Sequence, residues 1–385
     1  MAEALKIVYP IVVILVSGFI IWRSTNAFEL ASDYLGRNLS KGIKGATINA
    51  ISSSMPEFLS TMFFLFYVRD PEHSGSGFSG GIGITGGSAI FNILIIPLCV
   101  YFAASATLKV KTIPVERKTL LRDGSFLILM TILVAVVLHD DVLKPIHGLL
   151  LTTPYFIYIT FLFYTHKRTP VSDNSFKYSP LISKSVISDL LMINVERFVL
   201  KGRMIRTLTA WKLLLASTMV MMLGTWLLVY GTEMLGSRLN IPLVFVSVVL
   251  ASAASSIPDT MISIRDARKG NYEDSLSNAL GSNIFDISFA LGVPLLLYTF
   301  LFNQTVQLNV EEKAASTDIW FILAIITLVT VLLLLSGKSI TRFKVLILAL
   351  LYLIFVSFIV LELIYSIDVT GSIYSFVFRT NLPIP

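Results

Sequence analysis

The chain has 385 residues, 55% of them apolar and only 14% charged, and its mean hydropathy is +0.79. A soluble domain carries roughly 25% charged residues, and a deficit of this size over so long a chain exceeds what one buried core absorbs, so the composition points to a bilayer. The formal net charge of +6 is then a matter of basic cytoplasmic loops, not of nucleic-acid binding, and the single cysteine, Cys99, excludes an intrachain disulfide and any multi-cysteine metal site.

Ten hydrophobic segments are legible in chain order, at about 7–34, 42–68, 82–106, 120–138, 146–165, 208–236, 241–264, 275–302, 317–336 and 343–366. The first apolar run, Ile7 to Trp22, is followed by Arg23 and not by a small-residue cleavage site, so it reads as a retained helix. A polar stretch between the fifth and sixth segments carries Lys167, Arg168, Lys177, Lys184, Arg197, Lys201, Arg203 and Arg206. It divides the chain into a first five-helix half (1–165), a linker (166–207) and a second five-helix half (208–385).

Basic residues set the orientation. With the linker cytoplasmic, the loops after segments 1, 3, 7 and 9 are cytoplasmic too. They hold Arg37, Lys41 and Lys44, then Lys109, Lys111, Arg117 and Lys118, then Arg265, Arg268 and Lys269, then Lys338 and Arg342. The opposite loops hold Asp70 and Glu72, Asp140 and Asp141, and Glu311 and Glu312. This predicts a multi-pass protein of the cell membrane with both termini outside. Five helices per half make the halves enter the membrane in opposite senses, so internal similarity predicts an all-α fold of ten transmembrane helices arranged as two inverted five-helix repeats.

That similarity is present twice. Ser53-Ser54-Met55-Pro56-Glu57 in the second segment matches Ser255-Ser256-Ile257-Pro258-Asp259 in the seventh, and Gly87-Ser88-Ala89-Ile90-Phe91-Asn92-Ile93 in the third matches Gly281-Ser282-Asn283-Ile284-Phe285-Asp286-Ile287 in the eighth. A proline inside an apolar helix removes a backbone donor and frees a carbonyl, which in lipid needs a partner or a water-lined cavity. The carbonyls near Ala50 and Ser252 are the candidates for direct cation ligation. An acid at bilayer depth costs ~2.5–3.5 kcal/mol even on lenient insertion scales. Glu57 and Asp259, at matching places in inverted repeats, would meet near the midplane and repel unless a cation sits between them. The hydroxyls of Ser53, Ser54, Ser255 and Ser256 add neutral oxygens, and Asp286 is a third acid. An all-oxygen site with two or three negative charges suits hard cations such as Ca2+ and Na+. Gly87-Ser88 and Gly281-Ser282 read as close-packing positions compatible with ligation.

At these residues the chain resembles the calcium/cation antiporter superfamily, specifically the sodium/calcium exchangers, over repeats at about 46–100 and 247–298. The second repeat, through Ala267-Arg268-Lys269-Gly270 to Asp286-Ile287, is most similar to the potassium-dependent branch. The resemblance implies that helices 2, 3, 7 and 8 hold the ions while helices 1 and 6 slide across them, and that Glu57 and Asp259 are the central ligands for Ca2+ and Na+. It ties Asp286 to K+ use and places Asn283 and Ala89 where other exchangers carry a polar or acidic ligand. Ser52 and Ala254 depart from glycine, and Ala279 departs from a ligating serine, whose matching hydroxyl on helix 3 is Thr85. The linker is too short for a calcium-sensing domain. The Gly-rich stretch Ser74 to Gly87 reads as a flexible external gate or a mobile loop, and Val186 to Leu200 as an interfacial helix or a connector.

The partners implied are Ca2+, Na+, K+ through the branch resemblance, and the lipid bilayer, with no resident cofactor, no nucleic acid and no obligate protein partner. Function is expected to be Na+/Ca2+ antiport by alternating access, with Ca2+/H+ antiport as the alternative. A channel is disfavoured by apposed buried acids without a polar pore-lining helix. An enzyme is disfavoured because His73, His139, His147 and His166 lie in or near loops and form no metal-ligand pair at helical spacing.

Overall fold

The computed structural model describes residues 2–37, 44–68, 75–165 and 186–365. Lys41, Asp70, Glu72, His73, Ser74, the linker residues 166–185 (with His166, Lys167, Arg168, Lys177 and Lys184) and 366–385 lie outside the described residues.

The first half runs α1 (Ala2–Leu35), α2 (Ala50–Tyr67), α3 (Ser76–Leu108), α4 (Arg117–His139) and α5 (Pro145–Thr165). Two short helices, α6 (Val186–Leu191) and α7 (Val195–Leu200), form the described part of the linker. The second half runs α8 (Thr207–Leu239), then a span made of α9 (Leu243–Val246), α10 (Ser252–Ser255) and α11 (Ile257–Arg268). It continues with a span made of α12 (Tyr272–Phe285) and α13 (Leu291–Leu301), then α14 (Val310–Leu335) and α15 (Arg342–Tyr365). Among the described residues, nine helices are long and apolar enough to cross a membrane. The protein is a multi-pass helical membrane protein. The remaining segment, α2, is not one of the nine because Ser52, Ser53, Ser54, Pro56, Glu57 and Ser60 occupy its eighteen residues; all six are buried. Its polar face is turned inward, where hydropathy cannot register it.

Two expected boundaries are corrected. The stretch from Ser76 to Gly87 is the first part of α3, not a loop. Its glycines lie against other backbones: a Cβ on Gly77 would stand 2.2 Å from the Phe64 carbonyl oxygen. Small residues are what allow such approach between membrane helices. Helix α14 begins at Val310, not near residue 317, so Glu311 and Glu312 form its first turn and not a loop. The cause is a capping box: the Glu312 N–H donates to Asn309 Oδ1 at 2.7 Å, and the Asn309 N–H donates back to Glu312 Oε2 at 3.4 Å.

Matching stretches of the two halves share backbone irregularity. A π-helical turn occupies Gly45–Asn49 just before α2, and another occupies Ser247–Ala251 just before α10. These are equivalent positions of the repeated motif. Each turn receives a glycine of the partner helix. A Cβ on Gly87 of α3 would meet the Val248 carbonyl oxygen at 2.2 Å, and one on Gly281 of α12 would meet the Ala46 Cα at 3.0 Å. Helix α3 is buried along most of its length and packs on α2, α11, α12, α14 and α15. Helices α1 and α8 pair with each other at the side of this core. Loops are tied in pairs, a feature absent from the sequence reading. β1 (Thr112–Pro114), between α3 and α4, pairs antiparallel with β2 (Ser339–Thr341), between α14 and α15, and Leu143 forms a bridge with Val306.

Overpacking a close helix contact costs about 1–3 kcal/mol. Gly87→Ala is expected to lose that much or more, read as a lower melting temperature of the purified protein in detergent. Gly86→Ala, whose Cβ would stand 3.3 Å from an Ile319 methyl, should stay near wild type.

Candidate cation site

The repeated motifs converge on one place. Glu57 (α2), Asp259 (α11) and Asp286 (in a π-helical turn, Asp286–Ala290, between α12 and α13) are fully buried, and each offers a carboxylate oxygen within 4.8 Å of the others. No ion pair among the described residues involves any of them. Uncharged donors surround them instead. Ser282 Oγ donates to Asp259 Oδ1 at 2.7 Å and Asn92 Nδ2 to Asp259 Oδ2 at 2.8 Å. Ser88 Oγ lies 3.2 Å from Glu57 Oε1 and 3.0 Å from Asp286 Oδ2, while Ser256 Oγ donates to Ser88 Oγ at 2.9 Å. A hydroxyl has one hydrogen, so Ser88 serves one of the two acids at a time. Glu57 Oε2 and Asp286 Oδ1 are left without a hydrogen-bond partner.

The arrangement has an approximate two-fold relation. Ser88 bonds the acid of its own half and Ser282 does the same in the other. Ser53 lies beside Asp259, and its counterpart Ser255 lies beside Glu57. Each half therefore presents its serine to the other half's acid. An aromatic layer closes the flank next to Asp286: the Phe285 and Phe289 rings stack at 5.0 Å, with Tyr155 5.3 Å from Phe285 and Phe58 5.5 Å from Phe289.

The other candidates fall into two groups. Ser53 Oγ lies 3.3 Å from Ser282 Oγ and 3.5 Å from Asn278 Oδ1, Ser256 is linked through Ser88, and Ser54 Oγ is buried and unpartnered beside Asp286. These are gathered with the acids. Thr85 is not: its hydroxyl donates to the Gly81 carbonyl of its own helix at 2.9 Å. Asn283 donates to the Ala89 carbonyl at 2.8 Å and bonds none of the three acids, its Oδ1 staying unpartnered. Ser255, which lies beside Glu57, donates its Oγ to Ser252 O at 3.1 Å. Ser252 O also accepts from the Ser256 N–H at 2.9 Å, and Ala50 O from Ser53 Oγ at 3.3 Å. The carbonyls that lose a partner to Pro56 and Pro258 are those four residues earlier, Ser52 and Ala254, two positions beyond the pair expected from the sequence.

Two residues of the cluster were missed by the sequence reading as ligand candidates. Asn92 reaches Asp259, and Asn278 donates to Asp259 O at 3.4 Å and to Ser263 Oγ at 3.1 Å. Helical spacing puts each on the face of a motif serine, Asn92 four residues after Ser88 and Asn278 four before Ser282, but does not show the contact with Asp259.

Buried carboxylates without basic partners, set inside a bundle of membrane-crossing helices, define a membrane protein that handles cations. The family model described as "Sodium/calcium exchanger protein" matches residues 9–164 and 209–361, and the chain belongs to that family, whose members are transporters. It is 26% identical to "Putative antiporter CaxA" of Alkalimonas amylolytica over 72% of this chain and 77% of that protein. It is 27% identical to "Sodium/potassium/calcium exchanger 4" of Mus musculus over 44% of this chain and 26% of that protein, so it spans only a minor part of that relative. Among solved structures, the H+/Ca2+ exchanger CAX superposes with a TM-score of 0.66 at 18% identity, covering 97% of this chain and 85% of that one. The sodium-calcium exchanger NCX_Mj superposes with a TM-score of 0.55 at 22% identity, covering 90% and 97%. These likenesses are of fold.

A ligand that binds only the folded state stabilises it by about 2.7 kcal/mol at a hundredfold excess over its Kd. Ca2+ should therefore raise the melting temperature of the wild type, and Asp259→Asn should lose that rise. With one buried like charge removed, the same variant should melt higher than wild type in cation-free buffer.

Proposed function

We propose that the protein is a secondary antiporter that exchanges Na+ for Ca2+ by alternating access, with K+ carried alongside Ca2+. The observation that carries this reading is the cluster of Glu57, Asp259 and Asp286 within 4.8 Å, buried and without a basic partner among the described residues. Three negative charges are balanced by one divalent and one monovalent cation, or by three monovalent ones. A charge left uncompensated in a dry interior costs several kcal/mol, so the protein changes sides loaded and not empty, which enforces exchange and blocks leak. In this reading Glu57 and Asp259 are the central ligands, Asp286 supplies the K+-linked charge, and Ser53, Ser54, Ser255 and Ser256 supply neutral oxygens.

The fold is read as ten transmembrane helices in two inverted five-helix repeats, 1–165 and 208–385, joined by a cytoplasmic linker. Supporting it are the matched π-helical turns, the reciprocal serine contacts and the paired loops. The loop after α3 pairs with the loop before α15, while the loop after α4 bridges the loop before α14, an arrangement that a two-fold in the membrane plane interchanges. Helices α1 and α8 are the proposed sliding pair. Gly18 of α1 lies against Ala254 and Ile257 of the core, and Phe28 of α1 and Met221 of α8 pack with Leu59 of α2. At about 1.5 Å per residue, each of α1 and α8 is about 50 Å long, well beyond the ~30 Å hydrocarbon layer, so a shift leaves apolar surface covered. The second reading is Ca2+/H+ antiport at the same carboxylates, with protons as the monovalent charge.

Uptake of 45Ca2+ into Na+-loaded proteoliposomes, with and without external K+, tests the reading. Wild-type uptake should need both the Na+ gradient and K+, and Asp286→Asn should lose only the K+ requirement. Glu57→Gln should abolish uptake in a protein that still elutes as a folded species. Uptake that ignores Na+ and follows a pH gradient would move the conclusion to the second reading.

A further inference from the structure

A cleft between α3, α4, α12 and α14 approaches the carboxylates from a side that neither α1 nor α8 lines. Its interior volume is about 30 Å3, room for a water or two. Exposed Glu116 and Glu273 stand at the mouth, where Thr119 Oγ1 donates to Glu273 Oε1 at 3.2 Å. Arg122 lies near Glu273 but is committed to Asp123, which it holds through two hydrogen bonds at 2.6 and 3.0 Å. The walls are apolar, among them Val115, Leu120, Leu276 and Leu334. The floor is polar again. Asn92 and Ser277 both line the cleft, both are fully buried, and Asn92 Oδ1 and Ser277 Oγ have no hydrogen-bond partner. Asn92 Nδ2 meanwhile holds Asp259. Glu273 and Ser277 are four residues apart on α12, so they lie on one face, one above the other.

Buried polar atoms without protein partners are satisfied by water or by a ligand, and here two of them belong to side chains that line a cleft with two glutamates at its mouth. Apolar walls offer a cation no ligand, so it passes them only while hydrated, and any holding falls to the polar groups at the two ends, which must bind weakly enough to release it. We propose that this cleft is an aqueous side port to the cation site: Glu116 and Glu273 collect a hydrated cation at the mouth, and Asn92 Oδ1 and Ser277 Oγ receive it at the floor beside Asp259. The mouth opens on the face bearing Lys109, Lys111, Arg117 and Lys118, the cytoplasmic one by the positive-inside rule. The port rests on the exchanger reading only for the identity of the traveller.

The test is cysteine accessibility in vesicles of known sidedness. In a Cys99→Ser background, Ser277→Cys is exposed to a cationic, membrane-impermeant methanethiosulfonate and the modification rate is read by mass. Fast modification from the face bearing Lys109 is expected, at least tenfold above Val134→Cys, a buried position in the middle of α4. Glu116→Gln with Glu273→Gln should slow the cationic reagent several-fold and leave an anionic one unslowed. A rate equal to that of Val134→Cys, or no difference between reagents, overturns the port; if Ser277→Cys does not fold, Leu276→Cys on the wall replaces it. The same labelling is run in Glu57→Gln, so an outcome for the port stands even if the exchanger reading fails. In flux, the double glutamine variant should raise half-saturation for Ca2+ several-fold on that face alone, and an equal change on both faces would overturn the role of the two glutamates.

Discussion

Everything in the core answers to one constraint: three carboxylates share a space in which they meet no basic side chain among the described residues. At an effective dielectric constant near 20, two unit charges 4.8 Å apart repel by on the order of 3 kcal/mol, and the cluster contains three such pairs. A lysine or arginine in the cluster would relieve the strain and also fill the site permanently. Hydroxyls and amides do neither: they orient the carboxylates through single, redirectable hydrogen bonds, as Ser88 does between Glu57 and Asp286. The repulsion stays in place for a mobile cation to remove.

The backbone meets this constraint by irregularity at matched points. A regular helix satisfies its own carbonyls and has none to turn aside; a π-helical turn and a proline interrupt that accounting. Each half carries both devices within a dozen residues, Gly45–Asn49 with Pro56 and Ser247–Ala251 with Pro258. Gly87 and Gly281 then let α3 and α12 approach those turns closely. That approach carries Ser88 and Ser282, each one residue further on, to the acids. Packing and chemistry are thus two consequences of the same Gly-Ser pair.

What the sequence made legible follows from this economy. The acids stood out because charge at bilayer depth is costly and rare, and the duplication of Ser-Ser-x-Pro-acid made chance implausible. The glycine-rich start of α3 was misread because local propensity favours a loop there, whereas tertiary contact with the Phe64 carbonyl and with Thr61 decides. Asn92 was quoted in its motif but not recognised as reaching Asp259, since its reach depends on the crossing of α3 over α11, a long-range relation that spacing within one helix does not encode. Thr85 illustrates the converse. Its place in the repeat suggested a ligand, but a threonine within a helix can bond the carbonyl four residues back, and here it does. The π-helical turns, the β1–β2 ribbon and the cleft above Asn92 arise from packing between distant segments and have no local signature.

On the proposed reading, the departure from two-fold symmetry carries the chemistry of the second cation. Asn92 and Asp286 occupy equivalent positions in the repeated motif, yet one is neutral and the other acidic. Two asparagines would leave two carboxylates, enough for one divalent ion; two aspartates would leave four. The single substitution sets the charge at three, and only the half that carries it departs from regular helix there, through the turn at Asp286–Ala290, while α3 runs unbroken past Asn92. Asn92 is free to spend its amide on Asp259 because it carries no charge of its own. On the proposed reading, the acid half of this unequal pair holds the extra monovalent ion, and the amide half is left to orient the central ligand and to face the cleft.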